Sequence, residues 1–208
     1  DLCRLQERLR VLVRSRFVVL RLLAVIRQPE DSRPFDSPRC TLGSSAVRSH
    51  MNRPVSRDRA LALDHLQRVI KRLAGPSAEP RDDQIDAVEA VIDDRSRVLV
   101  VQATGWGKSA VYWAATSALR SVGLGPTLVV SPLRALMHNQ VDAATKAGLV
   151  AATINSSNLD DWDEIYSGLR ANRFDVLLIS PERLGNERFA AQLDDLLTRV
   201  GLVVIDEA

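Results

Sequence analysis

The sequence predicts an α/β domain: a parallel β-sheet with helices on both faces, preceded by a helical N-terminal segment. Three observations predict it. Five short apolar runs lie between Val98 and Ile205, segments of helical period join them, and the polar motifs fall at the C-terminal ends of the runs. Strands buried on both faces read as continuous apolar stretches, and parallel neighbours need a crossover helix between them. Ligands of such sheets bind beyond the carboxyl ends of the strands.

The elements follow in order. From Ser56, residues Leu63, Leu66, Val69, Ile70 and Leu73 recur at spacings of three and four, and Gly75-Pro76 supply the stop. A second helix, from about Asp83 to Asp93, places Ile85, Val88, Val91 and Ile92 on one face and acidic residues at its start, where the helix dipole favours them. Strands are then expected at Val98–Gln102, Thr127–Val130, Val150–Ile154, Val176–Ser180 and Leu202–Ile205. The helices between them are expected at Lys108–Val122, Leu133–Ala147, Leu159–Asn172 and Asn186–Val200.

A chain of 208 residues has room for one ordinary α/β domain of about 150 residues and some extra, but not for two full domains. Hydrophobic residues make up 46% and charged residues 26%, a balance that excludes the disordered and membrane classes. The net charge of +2 hides an asymmetry: residues 1–50 hold ten arginines against five acidic groups, whereas residues 51–208 sum to −3. Bulk charge therefore gives no support for nucleic-acid binding, which has to rest on local contacts. Cys3 and Cys40 belong to no C-x-x-C spacing, which sets aside zinc and thiol redox chemistry and makes a reducing, cytoplasmic setting the default.

The segment 1–50 reads as a disordered or non-native leader, with Met51 as the natural start. Its Val/Leu stretch from Phe17 to Ile26 is interrupted by Arg21 and is too short to span a bilayer, so no membrane partner is expected. No A-x-A-like cleavage site follows it, and Gln28 to His50 is a Pro/Ser/Arg-rich stretch that reads as unstructured. Residues 51–76 form the N-terminal helix, and 77–208 form the α/β domain.

Between the first strand and its helix lies Gln102-Ala103-Thr104-Gly105-Trp106-Gly107-Lys108-Ser109. This is the context of a phosphate-binding loop: glycines let the backbone wrap close to a phosphate, and the helix N-terminus presents free N–H groups. Lys108 adds a point charge for the β and γ phosphates, and Ser109 offers an oxygen to Mg²⁺. The chain has only three lysines against 25 arginines, so a lysine inside a Gly-rich loop is informative. The strict pattern wants glycine where Gln102 stands, and an ordinary βα turn is the bland alternative.

At the far end, Leu202-Val203-Val204-Ile205-Asp206-Glu207-Ala208 places two adjacent carboxylates after an apolar strand. Asp206 would hold Mg²⁺, often through water, and Glu207 would polarise the attacking water. An acidic turn after a core strand is the plain alternative. The two motifs, separated by three βα units, point jointly to hydrolysis of a nucleoside triphosphate.

The T-G-x-G-K-S loop and the terminal D-E-A resemble motifs I and II of superfamily 2 helicases of the DEAD/DEAH-box kind. Three further segments are similar to those of the RecQ family. Ser131-Pro132-Leu133-Arg134-Ala135-Leu136-Met137-His138-Asn139-Gln140-Val141 resembles its S-P-L-x-S-L-M-x-D-Q-V, with Ala135 and Asn139 as departures. Ser180-Pro181-Glu182-Arg183-Leu184 reproduces its S-P-E-R-L, and Asn155-Ser156 matches a short N-S between the two. Upstream, Arg81-Asp82-Asp83-Gln84 is similar to its R-x-G-Q motif, with Asp83 in place of Gly and Pro80 in place of an aromatic residue.

The resemblance implies a RecA-like P-loop NTPase sheet, the first motor domain of an ATP-dependent DNA helicase, cut short within motif II. It implies ATP and Mg²⁺ as cofactors, with Arg81 and Gln84 at the adenine and Thr104, Gly105, Trp106, Gly107, Lys108 and Ser109 around the phosphates. Lys108, Asp206 and Glu207 carry the catalytic roles, and Ser109 and Asp206 the metal. Ser131, Pro132, Arg134, Ser180 and Arg183 lie near the groove for single-stranded or duplex DNA, where hydroxyls and backbone N–H groups grip phosphates.

A second RecA-like domain is the expected partner, unwinding is expected to run 3′ to 5′, and the setting is cytoplasmic, on the nucleoid if the source is bacterial. Trp106 replaces a small residue and is expected along the surface or against the partner domain. His138 and Gln140 are expected to face the domain surface. Two other readings stay open: an RNA helicase or duplex translocase of the same superfamily, and a nucleotide-dependent nucleic-acid-binding switch without unwinding.

Overall fold

The computed structural model of the chain describes residues 18–24, 57–93, 98–131, 134–154, 162–184 and 199–206. Two helices come first after an early strand. Strand β1 spans Val18–Ala24, helix α1 spans Arg57–Ala74, and α2 spans Asp82–Ile92. The alternation follows as β2 (Val98–Gln102), α3 (Lys108–Ser121), β3 (Thr127–Val130), α4 (Arg134–Ala147), β4 (Ala151–Ile154) and α5 (Trp162–Arg170). It closes with β5 (Val176–Ile179), a one-turn helix α6 (Pro181–Leu184) and β6 (Leu202–Asp206). The expected elements thus stand within three residues of their predicted bounds wherever they are described. The helix expected at Asn186–Val200 falls largely outside the described residues, as does Asn155-Ser156.

Among the described residues the sheet has six strands in the order β2-β1-β6-β3-β5-β4, and every pairing is parallel. That is one strand more than the five apolar runs predict. The extra strand, β1, comes from the Val/Leu run inside the segment read as a leader, and it lies between β2 and β6 with Leu22 in register with both Val100 and Asp206. The rest of residues 1–50 lies outside the described residues.

Period-2 alternation divides the sheet into two buried faces. Val129, Val176, Leu178, Leu202 and Val204 join one core with α1, α2 and α3. Leu128, Val130, Leu177, Ile179 and Val203 join the other, with Trp162, Ile165, Tyr166 and Leu169 of α5. Neighbouring residues of one strand point to opposite faces, so a continuous apolar run fills both cores at once. The expected two-sided α/β architecture is what the structure shows.

The helices on the first face read from their spacing. In α1, Ala62, His65, Leu66, Val69 and Ile70 make the buried stripe, and each such Leu or Ile contributes about 1.5–3 kcal/mol by leaving water. Helix α3 is buried nearly all round from Ala110 to Leu119, as befits a helix enclosed between the sheet and other helices. Arg59 fastens α1 to α2 through Asp86 at 2.6 Å and Glu89 at 3.0 Å. His65, 4% exposed, lies 2.9 Å through Nδ1 from Ser117 Oγ of α3. Burial pushes its imidazole below the ordinary range; Arg68 adds in the same direction and Asp64 opposes. No helix among the described residues is long and apolar enough to cross a membrane.

Candidate functional site

The loop from Gln102 to Ser109 joins the end of β2 to the first turn of α3. Gly105 and Gly107 take φ of +82° and +96°, backbone that side chains with a Cβ rarely adopt. At Gly107 a Cβ would also stand 2.7 Å from Gln84 Nε2, so this position requires glycine on two counts. The ammonium of Lys108 turns back into the hollow of the loop and donates to Gln102 O at 2.9 Å and Ala103 O at 3.1 Å. Two carbonyls thereby hold a positive charge where a phosphate would draw it.

The segment read as adenine-facing is clamped onto this loop. Gln84, 5% exposed, donates from Nε2 to Trp106 O at 2.9 Å, while its Oε1 accepts from Arg81 N at 3.1 Å. The second bond is the return half of a capping box, so the plain helix-start reading of Gln84 holds as well. The amide still keeps one N–H and one lone pair for a ligand. Arg81 Nη1 reaches Trp106 O at 3.4 Å. Beside these groups lies a cavity of about 300 Å³ bounded by Ile70, Leu73, Glu79, Gln84, Trp106 and Ser109, among others.

Trp106 corrects an expectation. Instead of lying along the surface, its ring packs against the core and lines this cavity, and its indole N–H donates to Asp83 Oδ2 at 3.0 Å. The two departures from the family pattern, Asp83 for Gly and Trp106 for a small residue, therefore bond to each other. Spacing gave no signal for that pairing, because 23 residues separate the partners.

The second group of site residues lies at the ends of β6, β3 and β5. Asp206 ends β6 and is 8% exposed. Through Leu22 its register is level with Val100, two residues before β2 ends, and β2 and β6 stand two strand spacings apart, roughly 10 Å. Ser131 follows β3, where Val130 pairs with Ile205 in β6, so it leaves the sheet beside Asp206. Its N–H donates to Ile179 O at 3.0 Å, which brings it next to Ser180 at the end of β5. Both serines are buried, and Ser131 Oγ finds no partner among the described residues. Arg183 sits with its guanidinium carbon 5.5 Å from the centre of the Trp162 ring, a cation–π distance. Pro132, Glu207 and the side chain of Arg134 lie outside the described residues.

Gln140 corrects a second expectation. His138 is exposed as expected, but Gln140 faces inward and donates from Nε2 to Asp206 Oδ2 at 2.7 Å. The signal was present in the sequence: Gln140 is in phase with Met137, Val141 and Ala144, the apolar stripe of its helix. The oxygen donors at hand, the Asp206 carboxylate and the Ser109 hydroxyl, suit a hard cation such as Mg²⁺, which keeps one or two protein oxygens and takes the rest from phosphates and water. Among the described residues no group of three metal-binding side chains forms a protein cage, and a magnesium bound together with a nucleotide does not require one.

A family model described as DEAD/DEAH box helicase matches residues 81–208. The ATP-dependent DNA helicase RecQ of Bacillus subtilis is 37% identical over 131 residues, 62% of this chain and 21% of that protein. The ATP-dependent DNA helicase RecQ of Haemophilus influenzae is 35% identical over 129 residues, 62% of this chain and 20% of its own length. The ATP-dependent DNA helicase Q-like 5 of Arabidopsis thaliana is 36% identical over 131 residues, 62% and 13% of the two chains. The chain thus spans about a fifth or less of the length of these relatives.

Proposed function

Because the chain belongs to the DEAD/DEAH box helicase family, we propose that it is the first motor domain of a RecQ-like, ATP-hydrolysing DNA helicase, with residues 51–76 as a supporting helix and 77–208 as the nucleotide-binding domain. The observation that carries this is the glycine-shaped loop with the Lys108 ammonium held inside it, on the same edge of the sheet as Asp206. An incoming triphosphate offers Lys108 stronger partners than two carbonyls, because a charged acceptor makes a shorter and stronger bond.

Each residue has a task in that reading. The N–H groups of the loop and of the first turn of α3 bind the phosphates, and Lys108 bridges toward the γ phosphate. Arg81 and Gln84 position the adenine, with the remaining N–H and lone pair of Gln84 selecting its edge. Ser109 and Asp206 would hold Mg²⁺, and Glu207 would accept a proton from the attacking water. A magnesium ion held there supplies charge neutralisation at the phosphate oxygens. Ser131, Pro132, Arg134, Ser180 and Arg183 grip DNA phosphates, which fixes position without reading sequence.

A second RecA-like domain then closes over the nucleotide and supplies an arginine, worth roughly 10³–10⁵ in rate in comparable enzymes. Cycles of closure and opening move the motor 3′ to 5′ along one strand, in the cytoplasm and on the nucleoid if the source is bacterial. The relatives' printed names, ATP-dependent DNA helicase, support this substrate pair.

The test is ATP turnover by the full-length protein, with and without single-stranded DNA, beside its Lys108→Ala variant. Stimulation by DNA that disappears in the variant supports the motor. Absence of stimulation with nucleotide binding retained would point to a switch, and equal or better stimulation by RNA or duplex would move the substrate. The 208-residue chain alone should bind ATP weakly and turn over well below about 1 per second; ordinary motor rates from it would overturn the two-domain mechanism.

A further inference from the structure

The inner stripe of α4 runs through Met137, Val141, Ala144 and Ala147, and all but Val141 are almost fully buried. Gln140 interrupts it with an amide. Such a group costs free energy on leaving water unless it finds a partner, and the partner here is the carboxylate of Asp206, at 2.7 Å through Nε2. That length is typical of hydrogen bonds to a charged acceptor. With Oδ2 taken by the amide, the carboxylate plane of Asp206 is fixed.

A second observation bears on the same side chain. Gln140 Oε1 is buried and has no hydrogen-bond partner among the described residues. A buried acceptor without a donor is unusual, and the donor that suits this place is a water in the coordination shell of a cation on Asp206. Gln140 also has a fixed mechanical relation to the neighbouring loop. Helix α4 begins at Arg134, directly after the loop that leaves β3 beside Asp206, and Gln140 lies six residues further on, about 9 Å along the axis.

We propose that Gln140 is a positioning residue that orients Asp206 for Mg²⁺ and transmits occupancy of the loop after β3 to that carboxylate through α4. The second half rests on the DNA-motor reading above; the first half needs only nucleotide and metal. A phosphate gripped at residues 131–134 shifts the start of α4, and a helix moves as a stiff unit, so the shift arrives at the Gln140–Asp206 bond.

The experiment uses the full-length protein with Gln140→Met, which keeps the side-chain length and removes the amide, and Gln140→Glu, which sets a second carboxylate against Asp206. Four quantities are read: the Mg²⁺ concentration for half-maximal binding of a fluorescent ATP analogue, ATP turnover with and without single-stranded DNA, DNA affinity by anisotropy, and melting temperature. We expect Gln140→Met to raise the Mg²⁺ midpoint about tenfold, the scale of one hydrogen bond to a charged group. Stimulation by DNA should fall by a similar factor, while DNA affinity and melting temperature stay near wild type.

Gln140→Glu should raise the midpoint further. An unchanged Mg²⁺ midpoint in both folded variants overturns the metal-positioning role, and unchanged DNA stimulation overturns the transmission. If the wild-type protein itself shows no stimulation by DNA, the motor reading and the transmission both fail, and the Mg²⁺ midpoint still decides the metal-positioning role.

Discussion

The two ends of the candidate site are held in different ways. At the β2–α3 end, the loop is braced by groups that already have partners: Lys108 on two carbonyls, Gln84 on Trp106 O and Arg81 N, Trp106 on Asp83. At the β3–β5 end, Ser131 Oγ and Arg183 Nε are buried with no hydrogen-bond partner among the described residues. The first end is preorganised by its own contacts, so a nucleotide replaces existing bonds. The second offers polar atoms whose bonds remain to be made, so what binds there adds bonds instead of exchanging them.

The largest expected effect tests the first end. Lys108→Ala in the full-length protein should lower ATP turnover by roughly 10²–10³, the range for removing one preorganised electrostatic contact, while DNA affinity without nucleotide stays within about twofold. Loss of both together would mean that the two ends are one unit.

The scaffold under the first end should respond to acid. The folded His65 sits below its unfolded value, so the neutral imidazole contributes stability that is fully present above the unfolded pKa, about 6.5. That contribution declines as pH falls from there toward the folded value, by up to about 1.4 kcal/mol per pH unit. Thermal melts between pH 7.5 and 5 should therefore slope less in His65→Leu than in wild type; parallel slopes would exclude His65 as the cause.

A change at the second end should leave the first alone. Arg183→Ala is expected to weaken single-stranded DNA binding and to reduce the slope of log affinity against log salt by about 0.7, the share of one phosphate contact on a single strand, with ATP affinity unchanged. A slope equal to wild type would assign Arg183 to its stacking on Trp162 alone. The smallest effect belongs to the Trp106–Asp83 bond. A double-mutant cycle of Trp106→Phe and Asp83→Ala should show a coupling of about 0.5–1 kcal/mol in nucleotide affinity, and additivity would reduce the pair to two unconnected substitutions.

Much of this domain was legible in the chain. Val98–Gln102, Thr127–Val130 and Leu202–Asp206 are short apolar runs followed by polar motifs, and a run that fills two cores through alternate residues has few other ways to fold. The positive-φ glycines at 105 and 107 and the single lysine behind them marked the phosphate loop, because the residue types needed there are few. Gln140 was legible in part: its phase with Met137 and Ala144 placed it on the inner face, although polarity argued for the surface.

By itself, then, the sequence determined the alternation of elements, the strand ends where chemistry gathers and the family. Those are properties of local period and residue type, and they survive without knowing which distant parts meet. Only the tertiary structure decided that Val18–Ala24 takes a place between β2 and β6, that Asp83 meets Trp106 and that Gln140 meets Asp206. Each of these joins residues 20 or more positions apart, and which distant groups touch is fixed by the packing of the sheet and its helices, not by any preference carried along the chain.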